Sequence, residues 1–143
     1  MAYVVDTTIF NKLVDGVIAM GDLPSNSQLM ATHVQIDELN NTKDNERRAQ
    51  LFLKFVAVGT KIVPTESFVW DVSRWDHGKW SDGVLFEKLK GALDLLNKAK
   101  PNNSHDALIA EVAIVNDYTL LTADLHLAEV TEKHGGNVSY FGT

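Results

Sequence analysis

Cysteine is absent from all 143 residues. That excludes disulfides, iron–sulfur clusters and thiolate-ligated zinc, and it accords with a reducing compartment. No apolar run approaches the ~18–20 residues a helix needs to cross a bilayer. Met1–Val5 meets Asp6 too soon for a secretory leader, so no membrane association and a cytoplasmic location are expected. Proline is scarce, at three residues, and no Pro-, Gly- or Ser-rich tract divides the chain. One domain over residues 1–143 is therefore expected. Bases are in short supply as well: 13 Lys and Arg stand against 19 Asp and Glu, for a net charge of −6. A simple electrostatic nucleic-acid binder would show a basic face, and the composition offers none. The shortage is sharpest in residues 101–143, which hold six acids and a single base, Lys133.

What is present is an alternation of short apolar β-type runs with helical patterns. Tyr3-Val4-Val5, Gln28–Thr32, Lys61-Ile62-Val63, Thr119–Thr122 and Val138–Phe141 read as five strands. Between them, Ile9, Leu13 and Val17 mark one helix face, ended by the break at Gly21-Asp22-Leu23-Pro24. Val34–Asn41 follows Thr32 as a candidate cap, and Asn45–Val58 runs to a stop at Gly59. Thr65–Lys98 reads as two helices hinged at Trp80-Ser81-Asp82-Gly83, the second carrying Leu85, Leu89, Leu93 and Leu96 inward. Ser104 is the expected cap of a helix that buries Ala107, Leu108, Val112 and Val115, and Leu125–Lys133 forms the last helix. This order predicts an α/β fold: a three-layer α/β/α sandwich around a mostly parallel sheet of about five short strands.

Open parallel sheets bind ligands beyond the carboxyl ends of their strands. Asp6 directly follows the first strand, and Asp124 lies two residues past the fourth. Asp106 falls in the first turn of a helix, and Glu38 lies on the helix after the second strand, with Asp37 a rival beside it. Four acids from four parts of the chain can thus meet at one rim. Packed carboxylates repel one another and resist ionisation, so such a group calls for a cation. Oxygen donors without cysteine select Mg²⁺, with Mn²⁺ as substitute. One or two such ions would polarise a phosphate and lower the pKa of a water, the logic of phosphodiester hydrolysis. Single-residue alternatives exist: a helix cap for Asp6, a dipole contact for Asp106, a turn for Asp124.

Four segments together resemble the PIN-domain ribonucleases: Val4-Val5-Asp6-Thr7-Thr8, Ile36-Asp37-Glu38-Leu39, Ser104-His105-Asp106-Ala107-Leu108-Ile109-Ala110, and Leu120-Leu121-Thr122-Ala123-Asp124-Leu125-His126-Leu127. They occur in that family's order and spacing along the whole chain. In length the chain is most similar to the stand-alone VapC-type toxins of toxin–antitoxin pairs. The resemblance implies that Asp6, Glu38, Asp106 and Asp124 hold the catalytic metal, with Glu38 preferred over Asp37 because the family's Glu-Leu pair falls on Glu38-Leu39. It implies that Thr8 and Thr122 support these acids. It further implies cleavage of single-stranded or structured RNA to 5′-phosphate and 3′-hydroxyl ends, a cognate antitoxin partner and a homodimer. The alternatives are an RNA-processing PIN nuclease without an antitoxin, and an inactive PIN scaffold that binds RNA or protein. His126 stands where many relatives carry an acid.

Lys43, Arg47 and Arg48 form the clearest basic run, either a solvated helix face or a contact to RNA phosphates. Trp70, Trp75 and Trp80 match no motif; core packing, a partner or dimer surface, and base stacking all suit them. Neutralising the four candidate ligands would account for four of the six net negative charges. Glu111, Asp117, Glu129 and Glu132 are assigned to solvated faces, with Asp117 a turn residue.

Overall fold

The computed structural model describes residues 2–66, 83–98 and 102–142. Five strands form one sheet: β1 (Ala2–Val5), β2 (Gln28–Ala31), β3 (Lys61–Ile62), β4 (Thr119–Thr122) and β5 (Asn137–Tyr140). Their order is β3-β2-β1-β4-β5, and every pairing is parallel. The chain therefore runs outward from β1 in one direction, through β2 and β3, and then returns to build β4 and β5 on the other side. The reversal falls between β1 and β4, which puts the switch point of the sheet at its centre.

Among the described residues the helices are α1 (Thr7–Val14), α2 (His33–Asn40), α3 (Asn45–Val58), α4 (Val84–Asn97), α5 (Asn102–Val115) and α6 (Leu125–Lys133), with a short 3₁₀ turn at Met20–Asp22. Side chains alternate across a strand, and β1 and β4 use both sides. Val4 and Leu120 point into a core built with Phe86, Leu89 and Leu93 of α4, most of α5, and Leu127 and Val130 of α6. Val5 and Leu121 point the opposite way, onto Ile9, Phe10 and Leu13 of α1 and Leu51 of α3. The register pairs Val4 with Leu120 and Val5 with Leu121, so each core receives matched residues from the two central strands. The expected three layers are present. No helix of the described residues is long and apolar enough to cross a membrane.

Several local expectations need correction. Helix α1 stops at Val14 rather than reaching Val17, which is 56% exposed. Gly16 ends it with φ +73°, while the Gly16 and Val17 N–H groups bond back to Leu13 and Lys12 carbonyls at 3.3 and 3.0 Å. This left-handed glycine closure satisfies the last turn's carbonyls, so the helix ends at Val14, well before the Gly21 break. Helix α5 begins at Asn102, so Ser104 lies inside its first turn and is not the cap, and Asp106 falls in the second turn, not the first. Three adjacent residues, Asn102, Asn103 and Ser104, all have capping side chains, and the capping preference alone does not choose among them. Leu96 and Val115 lie near the ends of α4 and α5 and are exposed, not inward. Glu111 is 2% exposed within α5, which is packed almost all round, so it does not belong to a solvated face. Asp117 is a turn residue as expected, at φ +56°. The first of the two helices expected in Thr65–Lys98, the hinge up to Asp82, and Trp70, Trp75 and Trp80 lie outside the described residues.

Candidate active site

The carboxyl ends of β1 and β4 are joined side by side. Asp6 donates its backbone N–H to Leu121 O at 2.9 Å, extending the ladder by one residue. Asp6 begins α1 by position, yet its side chain makes no capping bond. Instead Oδ2 accepts the Thr8 hydroxyl at 2.7 Å and the Thr122 hydroxyl at 2.8 Å. The same two threonines brace the β4 side: Thr8 Oγ accepts Ala123 N–H and Thr122 Oγ accepts Asp124 N–H, each at 3.0 Å. Asp124 then caps α6 with one oxygen, Oδ1, which accepts from His126 N and Leu127 N at 3.0 and 3.3 Å. Its turn-and-cap role is real, and it leaves Oδ2 outside the cap.

The third segment enters from β2. Thr32 caps α2, and Gln35 returns the favour through its side-chain oxygen to Thr32 N–H at 2.8 Å. Gln35 also donates from Nε2 to Val5 O at 3.1 Å, which pins the first turn of α2 to the end of β1. One turn on, Glu38 reaches the rim, where Oε2 accepts the Thr7 hydroxyl at 3.1 Å. Asp37, beside Glu38 on α2, is near enough to His105 for the imidazole to feel its charge. Asp106 arrives on α5 from the other face of the sheet.

The four acids lie near enough for their charges to act on one another. Burial pushes Asp106 up to about 9, with Asp6, Glu38 and Asp124 adding to the rise. Burial and then the Asp6 charge raise Glu38 to about 7, against the Thr7 hydrogen bond. Asp6, 2% exposed, is raised by burial and by Asp124, while the two threonine hydroxyls oppose the shift. Burial lowers His105, and Asp37 acts the other way. Sequence reasoning brought Asp6, Glu38, Asp106, Asp124, Thr8 and Thr122 to this rim; it did not single out Thr7, Gln35 or the packing of His105 against Glu38.

The donor set fits a hard divalent cation. Asp6 Oδ1 and Glu38 Oε1 are enclosed and have no hydrogen-bond partner among the described residues, which is costly for carboxylate oxygens unless something else pairs them. Among the described residues no three His, Asp or Glu side chains stand close enough to hold an ion as they are. The acids feel one another's charge without yet sharing one coordination sphere. The basic run is engaged differently. Arg47 donates to Asp15 at 2.7 and 3.2 Å and to Asn11 at 2.8 Å, clamping α3 to α1, and Arg48 binds Asn45 Oδ1 at 2.6 Å. Lys43 is exposed.

Solved structures share this arrangement of elements. A chain of VapBC2 from Rickettsia felis, solved bound to a DNA fragment from the promoter, superposes with a TM-score of 0.61 at 16% identity over 99% of both chains. The fold is the PIN fold. A chain of VapBC-1 from nontypeable Haemophilus influenzae gives 0.55 at 14% identity over 98% of each chain. VapBC-5 from Mycobacterium tuberculosis, a member of the VapBC family of toxin–antitoxin systems, gives 0.53 at 19%, covering 99% of this chain and 98% of that one. No protein-family model matches the sequence, and no curated protein matches it. At such identities the PIN likeness is one of architecture alone.

Proposed function

We propose that this chain is a divalent-cation-dependent endoribonuclease and the toxin of a toxin–antitoxin pair. The observation that carries the catalytic reading is the meeting of Asp6, Glu38, Asp106 and Asp124, from four segments, at the central switch point of the sheet. Burial first, and then the neighbouring carboxylate charges, raise Glu38 to about 7 and Asp106 to about 9; perturbed acids in a ligand-binding position mark functional sites. The oxygen donors suit Mg²⁺, with Mn²⁺ as substitute. When bound, such an ion supplies Lewis-acid polarisation of a phosphoryl oxygen and a more acidic water.

The chain's own contribution is positional. Thr8 and Thr122 hold Asp6 by one oxygen and keep the other turned free. Asp124 is fixed by its cap, and Glu38 by Thr7. Burial raises Asp106 and Glu38, and a cation held beside them would favour their ionised forms. In-line hydrolysis of RNA at this rim would leave 5′-phosphate and 3′-hydroxyl ends. Lys43, with Arg47 and Arg48 behind it, would supply salt-sensitive phosphate contact, Lys43 being less committed than the clamped Arg47. The similarity to VapBC structures supports an antitoxin partner, and a cytoplasmic homodimer accords with that reading.

Expression in a bacterial host tests the toxin reading. The wild-type chain should arrest growth, co-expression of the protein encoded beside it should restore growth, and Asp106→Asn should be harmless. Arrest by Asp106→Asn equal to the wild type would contradict the proposal.

A further inference from the structure

Glu38 uses one carboxylate oxygen and leaves the other idle. Oε2 takes the Thr7 hydroxyl, whereas Oε1 is enclosed and makes no hydrogen bond. The atom facing it is Nδ1 of His105, 3.8 Å away, likewise enclosed and without a hydrogen-bond partner. A direct N–H···O bond needs about 2.7–3.2 Å, so the two atoms confront each other across a gap too wide to close as a hydrogen bond. Two donors on one small cation, each about 2.0–2.2 Å from it, stand roughly 3–4 Å apart. The observed separation falls in that span. Both residues are also placed by rigid elements: His105 adjoins Asp106 in α5, and Glu38 is anchored on α2 by the Gln35 and Thr7 contacts.

We propose that His105 Nδ1 is a nitrogen ligand of the rim's cation, beside Glu38 Oε1, and biases the site toward Mn²⁺ or another transition ion over Mg²⁺. The inference rests on the cation-dependent reading of the rim and adds an imidazole to its carboxylates. Imidazole nitrogen suits first-row transition ions, whereas Mg²⁺ keeps to oxygen donors and water. A neutral ring nitrogen also completes the coordination without adding a fifth negative charge to four that already repel.

Pulsed EPR of Mn²⁺ bound to the full chain reads nitrogen coordination directly. Strong ¹⁴N modulation is expected in the wild type and its loss in His105→Gln, with Mn²⁺ affinity falling at least about tenfold and Mg²⁺ affinity changing much less. Should His105→Gln fail to fold, ¹⁵N-histidine labelling of the wild type must change the modulation pattern. Mn²⁺ that binds, is weakened by Asp106→Asn, and shows no nitrogen modulation would overturn the assignment of His105 while leaving the carboxylate site standing. Absence of Mn²⁺ binding in the wild type would overturn both.

Discussion

Asp6 shows how one residue type can be read two ways and decided by its neighbours. An aspartate ahead of a helix is by default a cap, yet here Oδ2 is occupied by the Thr8 and Thr122 hydroxyls and Oδ1 is left without a partner. Thr122 is wholly buried and works twice, donating to Asp6 and accepting from Asp124 N–H. Thr122→Val keeps the shape and removes both bonds. It is expected to cost about 1–3 kcal/mol, a drop of roughly 3–8 °C in melting temperature, and to lower cleavage more than stability by releasing Asp6. Calorimetry and cleavage rates on the same preparation check this; full activity in the variant would show that Asp6 needs no such bracing. At this scale much was legible. Asp6 and Asp124 follow apolar runs, and Glu38 and Asp106 lie on helical stretches, each in the second turn of its helix. Thr7 was not legible, because its partner is 31 positions away and no local pattern records that approach. His105 was equally silent: its closeness to Glu38 depends on how α5 meets α2.

Elements bring these residues together, and their ends matter more than their middles. The strands were legible to within a residue because apolar β-branched runs bounded by turns are strong signals. Helix ends were less so, since Gly16 closes α1 from within what reads as one apolar period, and three consecutive polar residues compete to start α5. The acids nevertheless reach one rim, because strand ends carry Asp6 and Asp124 and the Gln35 contact pins α2 to the end of β1. One joint is sterically exacting. A Cβ on Gly136, between α6 and β5, would lie 2.6 Å from Thr131 Cγ2 and 2.9 Å from Ile114 Cγ1. Gly136→Ala therefore forces α6 or β5 to shift, and a loss of about 1–3 kcal/mol is expected for such overpacking. Denaturant unfolding measures it, and a midpoint equal to the wild type would show that the joint yields freely. Because α6 carries the Asp124 cap at its other end, cleavage should fall as well.

For the whole molecule, the net charge of −6 takes on a specific meaning: part of it is concentrated where the fold least tolerates it. Glu38 and Asp106 keep their protons to about 7 and about 9, against 4.5 and 3.8 for the ordinary groups. Between those limits the folded chain binds more protons than the unfolded one, so stability falls as pH rises. The contribution is complete below the ordinary carboxylate range and is lost as pH passes about 7 for Glu38 and about 9 for Asp106. Metal-free protein in EDTA should therefore melt at progressively lower temperature from pH 5 to pH 9. Asp106→Asn should flatten that slope, and saturating Mg²⁺ or Mn²⁺ should raise the melting temperature most at the alkaline end. A metal-free melting temperature that climbs over this range would contradict the assignment. The C-terminal acidity divides accordingly: Asp106 and Asp124 serve the rim, Glu111 is buried in α5, and Glu129 and Glu132 are solvated. The central claim is that the four carboxylates form a cation-dependent RNA-cleaving site, and the most direct measurement is cleavage of a single-stranded RNA by the purified chain at neutral pH. Product should form with Mg²⁺ or Mn²⁺, vanish in EDTA, and fall at least about 100-fold in Asp106→Asn. Cleavage that survives EDTA, or that Asp106→Asn performs at the wild-type rate, would contradict it.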